Sequence, residues 1–211
     1  MYITYEDPIF AVIDSQGSFN QTTGLLTVFV ADRNNIKITG THTVYFRTEW
    51  GFFNQDFCVT SNGSCSVTWT SGSPQELASD RRVIFTAYTL GEEEFVDTNG
   101  NGYFDDVDGF VPVTNDLPEP YIDCNHDLAY TPGEQIIDVH TNNGIHDAED
   151  SLNSTPDCQD TTGRCSPNPT IMIYHTDYLF ISGEDVTTIS SPIYGTGSPL
   201  YAALTSDTCT N

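Results

Sequence analysis

Basic residues are almost missing from this chain. Six Lys and Arg stand against 30 Asp and Glu in 211 residues, a formal charge of −24. So negative a surface repels nucleic acid and anionic lipid, and neither is expected as a partner. No run of 18 apolar residues occurs, so no membrane-spanning helix is expected. Clustered CxxC or Cys and His spacings are absent, which argues against structural zinc. No Ser-His-Asp, Cys-His or Gly-rich phosphate motif stands out. The carboxylates sit at ligand spacing in loops, with no apolar pocket around them to serve a glycosidase, so no enzymatic activity is expected. Helical periodicity is scarce too; SPQELASD could make one turn. The opening MYITYEDPIF has neither the basic start nor the apolar run of a secretory leader, which leaves a removed leader or a longer parent chain.

What is present first is β-structure. LLTVFVADRNN, HTVYFRTEW, CSVTWTSG, RRVIFTAYTL and TIMIYHTDYLFISG are rich in β-branched and aromatic residues and bounded by turn signals. Asn62-Gly63 is a hairpin signal. Trp50 and Trp69 could serve as sugar platforms, but beside such strands they read as core. The six cysteines, at 58, 65, 124, 158, 165 and 209, include two pairs with one spacing, CVTSNGSC and CQDTTGRC. In an acidic, Lys-poor chain this points to disulfides and an oxidising compartment. Sequons at Asn20, Asn62 and Asn153 are glycosylation candidates that fit an exterior location.

From Glu92 to Asp160 there are 18 acids and no Lys or Arg. Something other than an apolar core must organise so long a segment. A repeat supplies the candidate: EEFVDTNGNGYFDDVD from Glu93, EPYIDCNHDLAYTPGE from Glu119 and EQIIDVHTNNGIHDAED from Glu134. Each opens with Glu, brings Asp four residues later, and closes on an acid. Oxygen donors at alternate positions of a 12-residue loop converge on a hard cation, and calcium suits them better than magnesium.

In the first unit the donors are Asp97, Asn99, Asn101, the Tyr103 carbonyl, Asp105 and Asp108, with Gly102 sixth. In the second they are Asp123, Asn125, Asp127, the Ala129 carbonyl and Glu134; Leu128 replaces the sixth-position Gly, and Thr131 stands where an acid could. In the third, one residue is inserted after Asp138, while Thr141, Asn143, the Ile145 carbonyl, Asp147 and Asp150 keep register with Gly144. Two or three calcium ions are expected. His126, His140 and His146 raise a transition-metal alternative, but oxygen donors outnumber them.

The stretches TVFVADRNN…GTHTVYFRTEWGFF, CVTSNGSCSVTWTSGSP and RRVIFTAYTLGEEEFVDTNGNGYFD resemble bacterial immunoglobulin-like domains of the invasin and intimin type. They resemble more closely a variant in secreted bacterial proteins that carries a calcium-loop insertion. The loops also resemble those of dockerins, but dockerins pair each loop with a helix, and the flanks here are Pro-rich or β-like.

The resemblance implies an all-β fold, an immunoglobulin-like Greek-key β-sandwich with a long calcium-binding insertion. It also implies a structural or adhesive role on the cell exterior. The sandwich would comprise residues 20–91 and 159–183, and the insertion 92–158. Residues 1–19 and 184–211 would be extensions, the first a possible exchanged strand. Spacing pairs Cys58 with Cys65 and Cys158 with Cys165. Cys124 and Cys209 could then pair with each other or with a neighbouring chain. The expected protein is a secreted subunit of a fibre or surface stalk, with copies of itself or neighbouring domains as partners. The alternative is a calcium-dependent adhesin or carbohydrate-binding module that binds glycans.

Overall fold

The computed structural model describes residues 1–5, 12–13, 19–73 and 82–180. The SPQELASD stretch, apart from its first residue, lies outside them, as do Ile181–Gly183 and the 184–211 extension. The described chain is all-β apart from one four-residue helical turn, α1 (Pro112–Asn115). No described helix is long and apolar enough to cross a membrane.

Two four-stranded antiparallel sheets face each other. The first has the order β1 (Tyr2–Tyr5), β4 (Thr23–Phe29), β8 (Ser64–Thr70), β6 (Phe52–Phe53). The second has the order β12 (Ile171–Phe180), β9 (Arg82–Gly91), β5 (Thr43–Thr48), β7 (Phe57–Val59). A short pair, β2 (Val12–Ile13) with β3 (Phe19–Asn20), stands apart from both. Alternation decides which side chains turn inward. Leu26 and Val28 of β4, Val67 and Trp69 of β8, Val44 and Phe46 of β5, and Val83, Phe85 and Ala87 of β9 meet in one core between the sheets.

Trp50 and Trp69 both belong to that core, 4% and 0% exposed. Trp69 Nε1 donates to Trp50 O at 2.9 Å and Trp50 Nε1 to Ser73 O at 2.8 Å. Each indole thus buries its ring and keeps its N–H satisfied, which removes both from any sugar platform. Gly51, at φ +80°, lets the chain turn over Trp69; a Cβ there would stand 2.3 Å from Thr70 O.

The Asn62-Gly63 signal gives a tight turn with both residues at positive φ, 53° and 73°. Its ladder is a single pair, Ser61 with Ser64. Beyond it β7 joins β5 in the second sheet and β8 joins β4 in the first. The Cys58–Cys65 disulfide therefore ties the two sheets together at their divergence.

Residues 2–5, assigned by sequence to an extension, pair with β4 of their own chain, Tyr2 opposite Phe29 through Tyr5 opposite Leu26. At the other edge β12 pairs with β9 along ten residues. The β9 strand is buried on both faces. Its Ile84 and Tyr88 point away from the sandwich and pack with Ile122 and Ile137 of the insertion, joined by Met172, Tyr174 and Val139. The acidic segment is thus seated on the outer face of the β9–β12 pair. Replacing Ile84 by Ala should cost about 3 kcal/mol, as large-to-small changes in packed cores do. Hydrogen exchange should quicken at residues 121–139 while β4 and β8 keep their protection.

Candidate functional site

The insertion is organised by carboxylates that accept main-chain N–H groups. In loop one, Asp97 takes the amides of Gly100, Asn101 and Gly102 at 2.7, 3.2 and 2.9 Å. Asp108 closes the loop by taking Thr98 at 2.8 Å and Asp105 at 2.9 Å. The side chains of Asn99 and Asn101 both reach Asp105 Oδ2, at 2.8 and 2.7 Å. Hydrogen bonds thus tie the first, third, fifth, ninth and twelfth positions into one network.

Loop two repeats this. Asp123 accepts Asp127 and Leu128 at 3.1 and 2.9 Å. Asn125 lies 3.2 Å from Asp127 Oδ2 and 3.4 Å from Thr131 Oγ1, and Glu134 closes on the Thr131 amide at 2.7 Å. In loop three, Asp138 spans the inserted residue to take Asn143 and Gly144 at 3.2 and 2.5 Å. Thr141 and Asn143 then reach Asp147 at 2.7 and 3.2 Å. The seventh-position amides of Tyr103, Ala129 and Ile145 each donate to the fifth-position side chain.

Asp150 does not close loop three. Its Oδ1 accepts Leu152 N at 2.8 Å, outside the loop. The closing carboxylate is Glu119, wholly buried, which takes the amides of Val139, His140 and Asp147 at 2.5, 3.0 and 3.3 Å. The reason is strand register. The short pair β10 (Tyr121–Ile122) and β11 (Gln135–Ile136) sets Tyr121 across from Ile136 and Ile122 across from Gln135. Continued one step, this register puts Asp123 opposite Glu134. Continued two steps the other way, past the Ile137 N to Pro120 O bond, it puts Glu119 opposite Asp138. One miniature ladder thus sets the first and closing acids of two loops.

Glu93, which opens the first unit, has a related place. Its carboxylate takes Leu117 N at 2.7 Å and Ser154 N at 2.6 Å, and Asp116 takes Ser151 N at 2.5 Å. This neck copies part of the loop pattern, with Ser151 at φ +65° where the others have Gly102, Leu128 and Gly144. The residue two before Asp150 is Ala148, so one side-chain donor is missing.

Electrostatics separates these groups. Asp105 is held below the ordinary carboxylate range by the Val107 amide and by Asn99, and Asp147 by the Thr141 hydroxyl. Burial pushes Glu134 and Asp116 up, and Glu93 to about 7. No Lys or Arg within residues 92–160 offsets that cost. Among the described residues no three His, Cys, Asp or Glu side chains are gathered at metal distance. The remaining side-chain donors are the amides of Asn99, Asn101, Asn125 and Asn143 and the hydroxyls of Thr131 and Thr141. That all-oxygen set fits calcium.

The histidines do not share a point. His146 stacks on Tyr130 with centroids 4.0 Å apart and its Nε2 lies 2.9 Å from Glu119 O, while His126 lies against Tyr178. Both Cys158–Cys165 and Cys58–Cys65 are formed. Cys124 is disulfide-bonded, and Cys209 lies outside the described residues. Of the sequons, Asn62 is exposed in its turn, the side chain of Asn20 lies outside the described set, and Asn153 is 0% exposed, with no room for a glycan in the folded chain. Residues 159–165 pack on loop one, through Gln159 N to Phe104 O and Arg164 to Asp105 O and Asp108 O, so they belong with the insertion and not with the sandwich.

Two measurements check this geometry. Leu128 is held at φ +64° with its side chain 89% exposed, so it bears backbone strain without packing in return. Leu128→Gly should stabilise the protein by about 1 kcal/mol in denaturant melts. The second is pH. Between the free value of 4.5 and about 7, the folded chain holds a proton on Glu93 that the unfolded chain has lost. Stability in chelator should therefore fall as pH rises through that window. Asp105, Asp147 and Asp160, whose values are lowered, instead cost stability below about pH 4. Thermal melts from pH 4 to 8 should show a maximum near pH 5 by these signs, and Glu93→Gln should flatten the upper slope.

No family model, curated protein or solved structure matches this chain, so what it does is read from its own geometry.

Proposed function

We propose that this is a calcium-stiffened structural module of the cell exterior, an immunoglobulin-like sandwich whose insertion uses bound calcium where other segments use an apolar core. The carrying observation is that three loops share one arrangement of oxygen donors and buried closing acids, in a stretch, residues 92–160, that holds no Lys or Arg. Its closing carboxylates, Asp108, Glu134 and Glu119, are all buried, and burial raises Glu134. A divalent ion at each centre would relieve that repulsion directly. The disulfides at Cys58–Cys65 and Cys158–Cys165, with Cys124 bonded too, support an oxidising compartment. Loops one, two and three would take calcium through Asp97, Asn99, Asn101 and Asp105; Asp123, Asn125, Asp127 and Glu134; and Asp138, Asn143, Asp147 and Glu119.

Assembly into a fibre or stalk by strand exchange goes with this reading. The β1 strand is a four-residue edge strand joined to its sheet only through β4. The same edge of a neighbouring copy would accept it in the same register, and head-to-tail exchange builds an open filament. The adhesin alternative loses its leading groups, since both tryptophans are core.

The deciding experiment counts calcium per chain by elemental analysis and follows melting with and without chelator. Three ions per chain and a stabilisation of about 2.7 kcal/mol per filled loop, at free calcium a hundredfold over Kd, are expected. No bound calcium and an unchanged melt would sink the calcium reading. Filaments that persist after removal of residues 1–19 would sink the exchange reading.

A further inference from the structure

Loops two and three lean on each other. Their eighth residues, Tyr130 and His146, stack with planes 5° apart. Loop one has no partner loop at its eighth residue, Phe104. Its side chain packs between Phe95 and Phe110, at centroid distances of 5.2 and 5.8 Å, and the eight-residue ring closed by Cys158–Cys165 meets it from another part of the chain. Gln159 N–H donates to Phe104 O at 2.7 Å. Thr161 donates its amide and its hydroxyl to Asp106 at 2.5 and 2.6 Å.

Arg164 adds two bonds to the main chain of the loop. One guanidinium nitrogen donates to Asp105 O at 2.9 Å, the other to Asp108 O at 3.0 Å, and the group lies 4.7 Å from the Phe104 ring centroid. Those carbonyls belong to the ninth and twelfth positions of loop one. The guanidinium is held in turn by Asp160, whose side chain is 0% exposed and accepts Nε at 2.8 Å and Nη2 at 2.5 Å. Burial works to raise Asp160, but the Arg164 amide and guanidinium hold it at about 2, so the pair stays charged.

We propose that Arg164 is a positioning residue for cation binding in loop one, and that the Cys158–Cys165 ring serves loop one as the partner loop it otherwise lacks. This rests on the calcium reading above. A rigid planar fork bonded to two carbonyls fixes the main chain from which the Asp105 and Asp108 carboxylates face the loop centre, a job a single ammonium does poorly. Position and charge act in opposite senses here. A cation beside a cation site repels the ion, so a role by charge alone would make loop one bind more tightly when Arg164 is neutralised.

The test is a calcium titration of the full chain followed by amide NMR. The sixth-position amides of Gly102, Leu128 and Gly144 report the three loops separately. Arg164→Gln and Arg164→Lys should each weaken loop one about tenfold and leave loops two and three unchanged. The double variant Cys158→Ser with Cys165→Ser should do the same. Unchanged or tighter binding at loop one in Arg164→Gln overturns the proposal, and so does equal weakening at all three loops, which marks a general loss of structure. Arg164→Lys keeps the charge and most of the stem, so it reads position even where Arg164→Gln folds poorly. A wild-type chain that takes up calcium at no loop overturns the calcium reading itself, and this proposal with it.

Discussion

A carboxylate taken out of water must find hydrogen-bond donors, a proton or a cation. Most of the insertion follows from that one requirement. Residues 92–160 carry 18 acids and no Lys or Arg, and Arg33 and Arg164 pair with Glu92 and Asp160 from outside that stretch. The chain therefore folds back so that main-chain amides point at carboxylates: three at Asp97, two at Glu93, three at Glu119. Each such bond exchanges a solvated amide for a charge-assisted one, and the loops curl as a result. Apolar packing adds a patch centred on Ile84, Tyr88, Ile122 and Ile137 that seats the segment on one face of a sheet, and the Phe95–Phe104–Phe110 cluster beside loop one.

Much of this was legible in residue order. Alternating oxygen donors mark the loops because the spacing within a loop is a local property, fixed by the turn itself. The strands around Leu26, Phe46 and Val67 were legible for the same reason: period two is written into neighbouring residues. Glu119 was in view as the residue opening the second unit, yet its role was not. Which acid closes which loop depends on the register of β10 against β11, and register lies between segments. Asp150 illustrates the converse. It holds the right place in the count and the wrong place in space, because the chain turns at Ser151 before its carboxylate can face the loop.

The sandwich offers a parallel case. Asn62-Gly63 makes the turn it announces, but a turn does not say how far two strands will stay together, and these part after one pair. RRVIFTAYTL reads as continuously apolar, and the reason emerges only when the insertion is seen to cover its outer face. Arg164 could not have been singled out by motif at all. Its partners are the carbonyls of Asp105 and Asp108, some sixty residues away in the chain, and main-chain carbonyls carry no signature in a sequence.

The exchanged closures bear on how such a segment can be inherited. Glu119 stands before loop two but closes loop three, and Glu134 both closes loop two and opens the third unit. The units are therefore not beads that can be duplicated or dropped one at a time. Excising the stretch from Asp138 to Asp150 would yield a peptide with the full run of donors and no acid to shut it. Losing the second unit would open the third as well. An ancestor of this insertion had to gain or lose these two loops together, as one interlocked pair, while loop one, which closes on its own Asp108, could arrive or vary separately.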